Sequence, residues 1–177
     1  MSAHAVQPES AAEHGPVEAL LERALAAYHA HDPEALGALY AEHAVVRIGD
    51  LKAHGRSAII DLWRRWFDAF PDVSTDVERI VIEPSRFWLE WTERGTHVGR
   101  LCFDGLEIPA RGHSFAWRGV SVYELSGDEI ERVDYYVDRL RLADQLVGPV
   151  AVSLSLSRQL TRVKAAARRR LQRRGVR

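Results

Sequence analysis

The 177 residues suffice for one domain with tails, and an apolar fraction of 46% with five tryptophans is typical of a soluble globular chain. A single cysteine, Cys102, excludes an internal disulfide and a cysteine-based zinc site, and it fits a reducing compartment. No apolar run reaches membrane-spanning length, and the N-terminus lacks the charge and hydropathy pattern of a signal peptide. These features predict a cytoplasmic protein.

The formal net charge of -1 hides an uneven distribution of charge. Residues 158–177 hold nine Lys and Arg and no acid, whereas residues 1–157 hold 15 basic against 25 acidic residues, a balance of -10. Apolar residues at helical spacing predict that the tail, residues 149–177, forms a basic helix. It could contact an acidic partner, although the favoured interpretation is a helix docked on this chain's own acidic body or a frayed solubilising end. We expect no nucleic-acid or membrane binding.

The first half of the chain predicts three helices. Residues 1–15 show no hydrophobic periodicity and are expected to form a disordered leader ahead of a domain at 16–148. Apolar residues at helical spacing after Pro16 predict the first helix, and Asp32 followed by proline predicts the start of a short second one. A broad apolar stripe predicts the third helix over 56–70.

The second half predicts long strands separated by turn residues. A short strand at 43–48 and a polar loop precede the third helix, and a Gly/Pro-containing connection is expected at 103–110. The long strands are predicted at 73–82, 86–97, 113–125 and 130–138. Strands that follow helices in this way predict an α+β fold, in which a curved antiparallel sheet and three helices form a cone with one open mouth.

The last strand carries the leading catalytic candidates. Its alternation puts Asp134, Tyr136 and Asp138 on one face, while the opposite face is already apolar. We interpret the acidic face as one that meets water or lines a pocket. Asp138 stands before a predicted helix at 139–147, where it could act as a general acid or base, or equally well cap the helix. Asp134 is better explained by an ion pair with Arg132 or Arg118, and the role of Tyr136 stays open.

Three motifs give the chain a resemblance to a known family. Trp91–Gly99 (WTERGTHVG) looks like the W-T-x-x-G-T-H-x-G hairpin of the SnoaL-like polyketide cyclases, which belong to the NTF2-like superfamily. Phe70–Val73 (FPDV) resembles that family's helix-to-strand corner. The segment from Ile130 to Leu146 resembles its C-terminal signature, although Val147 here stands before the glycine. The motifs occur in family order within residues 17–148.

The resemblance implies an NTF2-like cone, a homodimer, and a cofactor-independent cyclase that closes a ring in a polyketide-type ester or ketone by aldol-type chemistry. Asp138 matches the aspartate assigned as the acid/base of the family. Glu90 and Ser121 stand where relatives often carry Arg and an acid or His, which leaves the substrate open. Rival interpretations on the same scaffold are a non-catalytic module that binds a hydrophobic ligand or docks a partner, and an epoxide-opening or isomerase enzyme.

Further candidates come from the aromatic and histidine residues. A deep cone lined by large aromatics would suit a flat polycyclic ligand, although most of these residues are expected in the core. His97 could polarise a carbonyl group, but a lone histidine more often binds backbone. We predict no metal site, because the histidines around Asp32 lack further ligands, and no cofactor. The remaining candidate substrate-binding residues are Tyr40, Trp63, Phe67, Trp91 and His113.

Overall fold

The computed structural model describes residues 15–103 and 106–147, which form four helices and eight strands. The helices are α1 (Gly15–His29), α2 (Pro33–Gly37), α3 (Arg56–Ala69) and α4 (Arg139–Val147). The strands are β1 (Tyr40–Ile48), β2 (Leu51–His54), β3 (Ser74–Glu83), β4 (Arg86–Thr96), β5 (Leu101–Phe103), β6 (Leu106–Ile108), β7 (Ser114–Ser126) and β8 (Glu129–Val137). Apart from Gly15, the predicted leader lies outside the described residues, as does the predicted basic tail.

Six strands form one curved sheet in the order β2-β1-β8-β7-β4-β3. Neighbouring strands are antiparallel except β1 and β8, which run parallel. The predicted α+β fold is thus confirmed, and the long strands β3, β4, β7 and β8 form the expected antiparallel sheet. The parallel pair joins β8 to β1, which the sequence predicts only as a short strand. The two strands are far apart in sequence, and so long a connection allows parallel pairing.

The three N-terminal helices pack on the concave face of this sheet. Ile59, Trp63 and Phe67 follow one another at helical spacing along α3 and are all buried. The start of α2 is capped by Asp32, whose Oδ1 accepts from the Ala35 N–H at 2.9 Å. At the other end of the chain, Leu142 anchors α4 in the core. None of the described helices is long and apolar enough to cross a membrane.

Two short hairpins replace segments that the sequence predicts as loops. Gly49, at a φ of 61°, allows a tight turn after which Leu51 pairs with Ile48, so β2 folds back on β1. Leu101 pairs with Ile108 in the same way, which joins β5 to β6. Alternation over three or four residues is too short to separate such strands from turns. Both hairpins lie at the open end of the cone, where their residues line a large cavity.

Candidate functional site

A cavity of about 920 Å³ opens between α3 and the concave face of the sheet. Its volume lies within the range of pockets that hold drug-sized organic molecules. The walls are mostly apolar and aromatic, and the charged side chains gather at the mouth, apart from one acid. The deep lining consists of Ile48, Leu62, Trp63, Trp66, Trp91, Glu93, Leu101, Trp117, Tyr135 and Val137.

A glycine makes room for the aromatic wall. Gly119 of β7 pairs with Trp91 of β4 on one side and Val137 of β8 on the other. A Cβ atom added at this glycine would lie 2.6 Å from the Trp91 ring, closer than real Cβ contacts allow. The indole therefore occupies the space that a side chain at this position would need, and its Nε1–H donates to the Ser121 hydroxyl at 3.1 Å. The absence of a side chain at this position fixes where the wall of the cavity stands.

The acid within the cavity is Glu93, a β4 residue that is only 6% exposed. Strand alternation puts it on the same inward face as Trp91, and it pairs with Trp117 of β7. Three neutral donors converge on its carboxylate. The Tyr28 hydroxyl donates to Oε2 at 2.5 Å, the Thr75 hydroxyl donates to the same oxygen at 3.3 Å, and the Trp117 Nε1–H donates to Oε1 at 3.1 Å.

Burial dominates the electrostatics of this acid. Loss of hydration raises the pKa of Glu93 from an ordinary 4.5 to about 7, and the donors from Tyr28, Trp117 and Thr75 only partly offset that rise. The pKa of Tyr28 is raised well above its usual value by burial and by the adjacent carboxylate, so the phenol stays protonated and remains a donor. A carboxyl with a pKa near 7 can both take up and release a proton at neutral pH, which is what a general acid or base needs.

Three tyrosines form a second polar group in the cone. The hydroxyls of Tyr123 and Tyr135 lie 3.2 Å apart, and Tyr135 lines the large cavity. A second, smaller cavity of about 60 Å³ is lined by Tyr40, Tyr135 and Glu93 among others. Burial raises the pKa values of all three tyrosines, so each is a neutral phenol that can donate a hydrogen bond.

The structure places the acidic face of β8 on the outside of the sheet. Asp134 accepts from Arg132 Nε at 2.7 Å, one of the ion pairs that the sequence suggested. Tyr136 is 64% exposed. Tyr135 and Val137, on the other face, line the cavity instead. The alternation of β8 is therefore as predicted, and its apolar face is the one turned towards the cavity.

Asp138 is exposed at the start of α4, where its Oδ1 accepts from the Arg141 N–H at 3.0 Å. The helix cap considered as an alternative is therefore present, and Asp138 is not among the residues that line the cavity. Its role as acid/base stays a prediction.

The other candidate site residues either line the cavity, lie in the core or contact the backbone. Trp63 and Trp91 line the large cavity, while Phe67 is buried in the core beside Trp63. His97 is fully buried against Phe70, and neither ring nitrogen has a hydrogen-bond partner in the described part of the chain. Burial lowers its pKa, so the ring is neutral. His113 binds backbone instead: its Nδ1 lies 3.0 Å from the Leu146 carbonyl oxygen.

Glu93, Tyr28 and Tyr135 were not among the candidate site residues from sequence. A signal for Glu93 existed, because an acid that alternates with Trp91 on the inward face of a strand is costly unless it has partners. Its partners come from α1, β3 and β7, and no local pattern connects these segments. Within residues 15–103 and 106–147, no group of three or more His, Cys, Asp or Glu side chains could hold a metal ion.

Comparison with known proteins gives the following similarities. The sequence model of the family described as SnoaL-like polyketide cyclase matches residues 18–146. A solved structure of a SnoaL-like polyketide cyclase from Jannaschia sp. CCS1 superposes with a TM-score of 0.69 at 18% identity, covering 81% of this chain and 99% of that one. TsrD from Streptomyces laurentii gives a TM-score of 0.65 at 23% identity, covering 80% and 99%.

A further similar structure has a fold described as ketosteroid isomerase-like. This protein, from Catenulispora acidiphila, was solved with trimethylamine and gives a TM-score of 0.60 at 18% identity, covering 73% of this chain and 93% of that one. At these identities the solved structures establish the cone-shaped fold alone. No curated protein matches the chain significantly.

Proposed function

Since this chain belongs to the SnoaL-like polyketide cyclase family, we propose that it is a cofactor-independent cyclase acting on a polyketide-type ester or ketone. The observation that carries the proposal is the position of Glu93, a buried carboxyl with neutral donors on both oxygens, in an aromatic cavity of about 920 Å³. A carboxylate held in an apolar, water-poor site is a stronger base than one in water.

The proposed reaction is an intramolecular aldol closure. The Glu93 carboxylate removes a proton from a carbon next to a carbonyl group, which leaves an enolate. The Tyr135 side chain, a neutral phenol that lines the cavity, would stabilise the enolate oxygen as a hydrogen-bond donor. The enolate carbon then forms a bond to a second carbonyl carbon of the same molecule. The resulting alkoxide takes the proton back from Glu93, which restores the carboxylate.

The aromatic walls contribute by holding the substrate folded. Ring closure requires two carbons of one flexible chain to meet, and fixing that conformation removes much of the entropic cost of the barrier. Trp63 of α3 lines the cavity on the helix side, and Trp91 and Trp117 line it on the sheet side, so a conjugated substrate would lie between aromatic side chains.

Asp138 is the alternative acid/base, proposed from the family resemblance. In its exposed position it would act only on a substrate group that extends to the start of α4, and its Oδ1 would have to release the Arg141 N–H or share it. Glu93 already lies in the cavity and holds no helix cap, so neither condition applies to it. We therefore assign the proton transfer to Glu93 and keep Asp138 as the residue to compare.

The test is product formation from a set of aromatic polyketide esters by wild type, Glu93→Gln and Asp138→Asn. We expect Glu93→Gln to lose about 10²- to 10⁴-fold in turnover while binding is retained, and Asp138→Asn to stay near wild type. The reverse result would move the acid/base to Asp138.

Binding is followed separately by quenching of the tryptophans that line the cavity. Ligand binding without turnover by any of the three proteins would favour the other class of function, a non-catalytic module that sequesters a hydrophobic ligand. Turnover of an epoxide or a double-bond isomer, with no ring closure, would favour the epoxide-opening or isomerase alternatives.

We further propose that the enzyme is a homodimer formed through the outer face of the sheet. Val120 of β7 and Tyr136 of β8 are paired on that face, at 36% and 64% exposure, and Val81 of β3 is 49% exposed. Arg118 and Glu90 lie among them, so the surface carries both signs of charge and can match a second copy. Sedimentation of wild type beside Tyr136→Glu tests this: a dimer that the variant converts to monomer supports it, and a wild-type monomer contradicts it.

A further inference from the structure

The mouth of the cavity carries charged side chains of both signs, in contrast to its apolar interior. Lys52 of β2 and Arg65 of α3 line the mouth, as do the pair Arg100 and Glu107 of the β5–β6 hairpin. Acids also occur there, at Asp50 and Asp68. The arrangement of pairs among these groups decides which charge remains available to a ligand.

Two of the acids at the mouth already have arginine partners. Arg139 lies 3.2 Å from Asp50, and Arg100 lies 3.1 Å from Glu107. In the part of the chain that the structure describes, no acid lies within ion-pair distance of Lys52 or Arg65. Asp68 stands one helical turn beyond Arg65 and is not paired with it. Two cations against one acid therefore remain at the opening.

The interior of the cavity carries an acid and not a base. Glu93 is the acid of the deep cavity, and the residues between it and the mouth are apolar or aromatic. An organic anion that entered with its charged end first would bring like charges together in a medium of low dielectric. With its apolar end first, it would bury its rings among the tryptophans and leave its charge beside Lys52 and Arg65.

We propose that the substrate class of this cavity is an aromatic or polycyclic carboxylic acid, whose free carboxylate is bound at the mouth by Lys52 and Arg65 while its apolar body fills the cone. This inference rests on the proposed function, since it assigns a substrate class to the same cavity. The proposed substrate differs from the ester or ketone expected from the family, because the end of the molecule that lies at the mouth carries a free carboxylate. The reacting carbonyl groups then lie at the inner end, beside Glu93.

The test measures binding and needs no turnover. The probes are 2-naphthoate and its uncharged analogue methyl 2-naphthoate, titrated against the emission of the four tryptophans that line the cavity (Trp63, Trp66, Trp91 and Trp117). The variants are Lys52→Gln, Arg65→Gln and the double variant. Arg23→Gln is the matched control, because Arg23 is also an exposed helical cation but lies away from the cavity.

We expect wild type to bind the acid more tightly than the ester, and high salt to reduce the difference. Each exposed ion pair is worth up to about fivefold in affinity, so each single variant should lose up to about fivefold for the acid. None of these variants should change the affinity for the ester, and Arg23→Gln should bind both probes as wild type does. Glu93→Gln should keep the preference for the acid, so loss of turnover and loss of this preference are distinguishable.

Three outcomes would overturn the proposal. They are equal affinity of wild type for acid and ester, equal loss of acid binding in Arg23→Gln, and no binding of either probe. If ring closure is found with esters while the acid is not preferred, the proposed function stands and the substrate class does not.

Discussion

Replacing Glu93 with glutamine should change how the stability of the protein depends on pH. Burial raises the pKa of Glu93 to about 7 in the folded protein, against 4.5 for the ordinary side chain. The folded state therefore binds this proton more tightly than the unfolded state does. The contribution of Glu93 to stability must then fall as pH rises from about 4.5 to about 7, and above that range its full penalty remains.

The size of the effect follows from the two pKa values. Each pKa unit corresponds to about 1.4 kcal/mol, so the carboxylate destabilises the folded state by about 3 kcal/mol once it is fully ionised. About 2 kcal/mol of that loss falls between pH 5 and pH 8. Glutamine has nearly the same shape and can accept the Trp117 N–H, but it cannot ionise, so the variant lacks this part of the dependence.

The assay is urea unfolding of wild type and Glu93→Gln at several values between pH 5 and pH 8. All other titrating groups are common to both proteins, so the difference between the two curves isolates Glu93. We expect the variant to gain about 2 kcal/mol on wild type over this range. Parallel curves would refute the reasoning, because they would mean that the carboxyl has the same proton affinity in the folded and unfolded states.

Three smaller changes test other parts of the structure. Asp138→Ala should cost about 1 kcal/mol in urea unfolding through loss of the α4 cap, whereas Asp138→Asn, which can still cap, should cost little; equal losses would contradict the cap. Gly119→Ala should cost about 1–3 kcal/mol and weaken binding of methyl 2-naphthoate, because the new Cβ displaces the Trp91 ring; unchanged affinity would mean that the wall adjusts elsewhere. Burial lowers the pKa of His97, so protonation of this ring should cost stability as pH falls below about 6.5; in urea unfolding at pH 8 and pH 5, wild type should therefore lose stability relative to His97→Leu, and the same pH dependence in both proteins would contradict a neutral buried ring.

Local patterns were sufficient to predict most of the fold. The apolar stripe of α3 and the Asp32 cap of α2 each depend on neighbours within a few residues, and both are present in the structure. The short hairpins at the mouth were missed because each strand has only three or four residues. The parallel pairing of β1 with β8 was missed because register between distant strands leaves no local pattern.

The site was harder to predict, because it depends on which face of a strand turns inward. The sequence gives the alternation of β8 correctly, but both faces hold residues suitable for a pocket. The acid-bearing face was compatible with either water or a pocket; in the structure Asp134 is paired with Arg132 on the outside of the sheet, and Tyr135 lines the cavity. The apolar face turns inward because the helices cover that side of the sheet and exclude water from it.

The surroundings of Glu93 argue that this residue is kept for chemistry and not for stability. In the described part of the chain it has no cationic partner, and its three donors are all neutral. A glutamine could make hydrogen bonds at the same place without the penalty of about 3 kcal/mol that ionisation brings. Structural acids in cores are usually paired with a charge, since an unpaired one destabilises the fold. An acid that is buried without a cation, beside a cavity large enough for an organic substrate, is instead well suited to take up and release a proton near neutral pH.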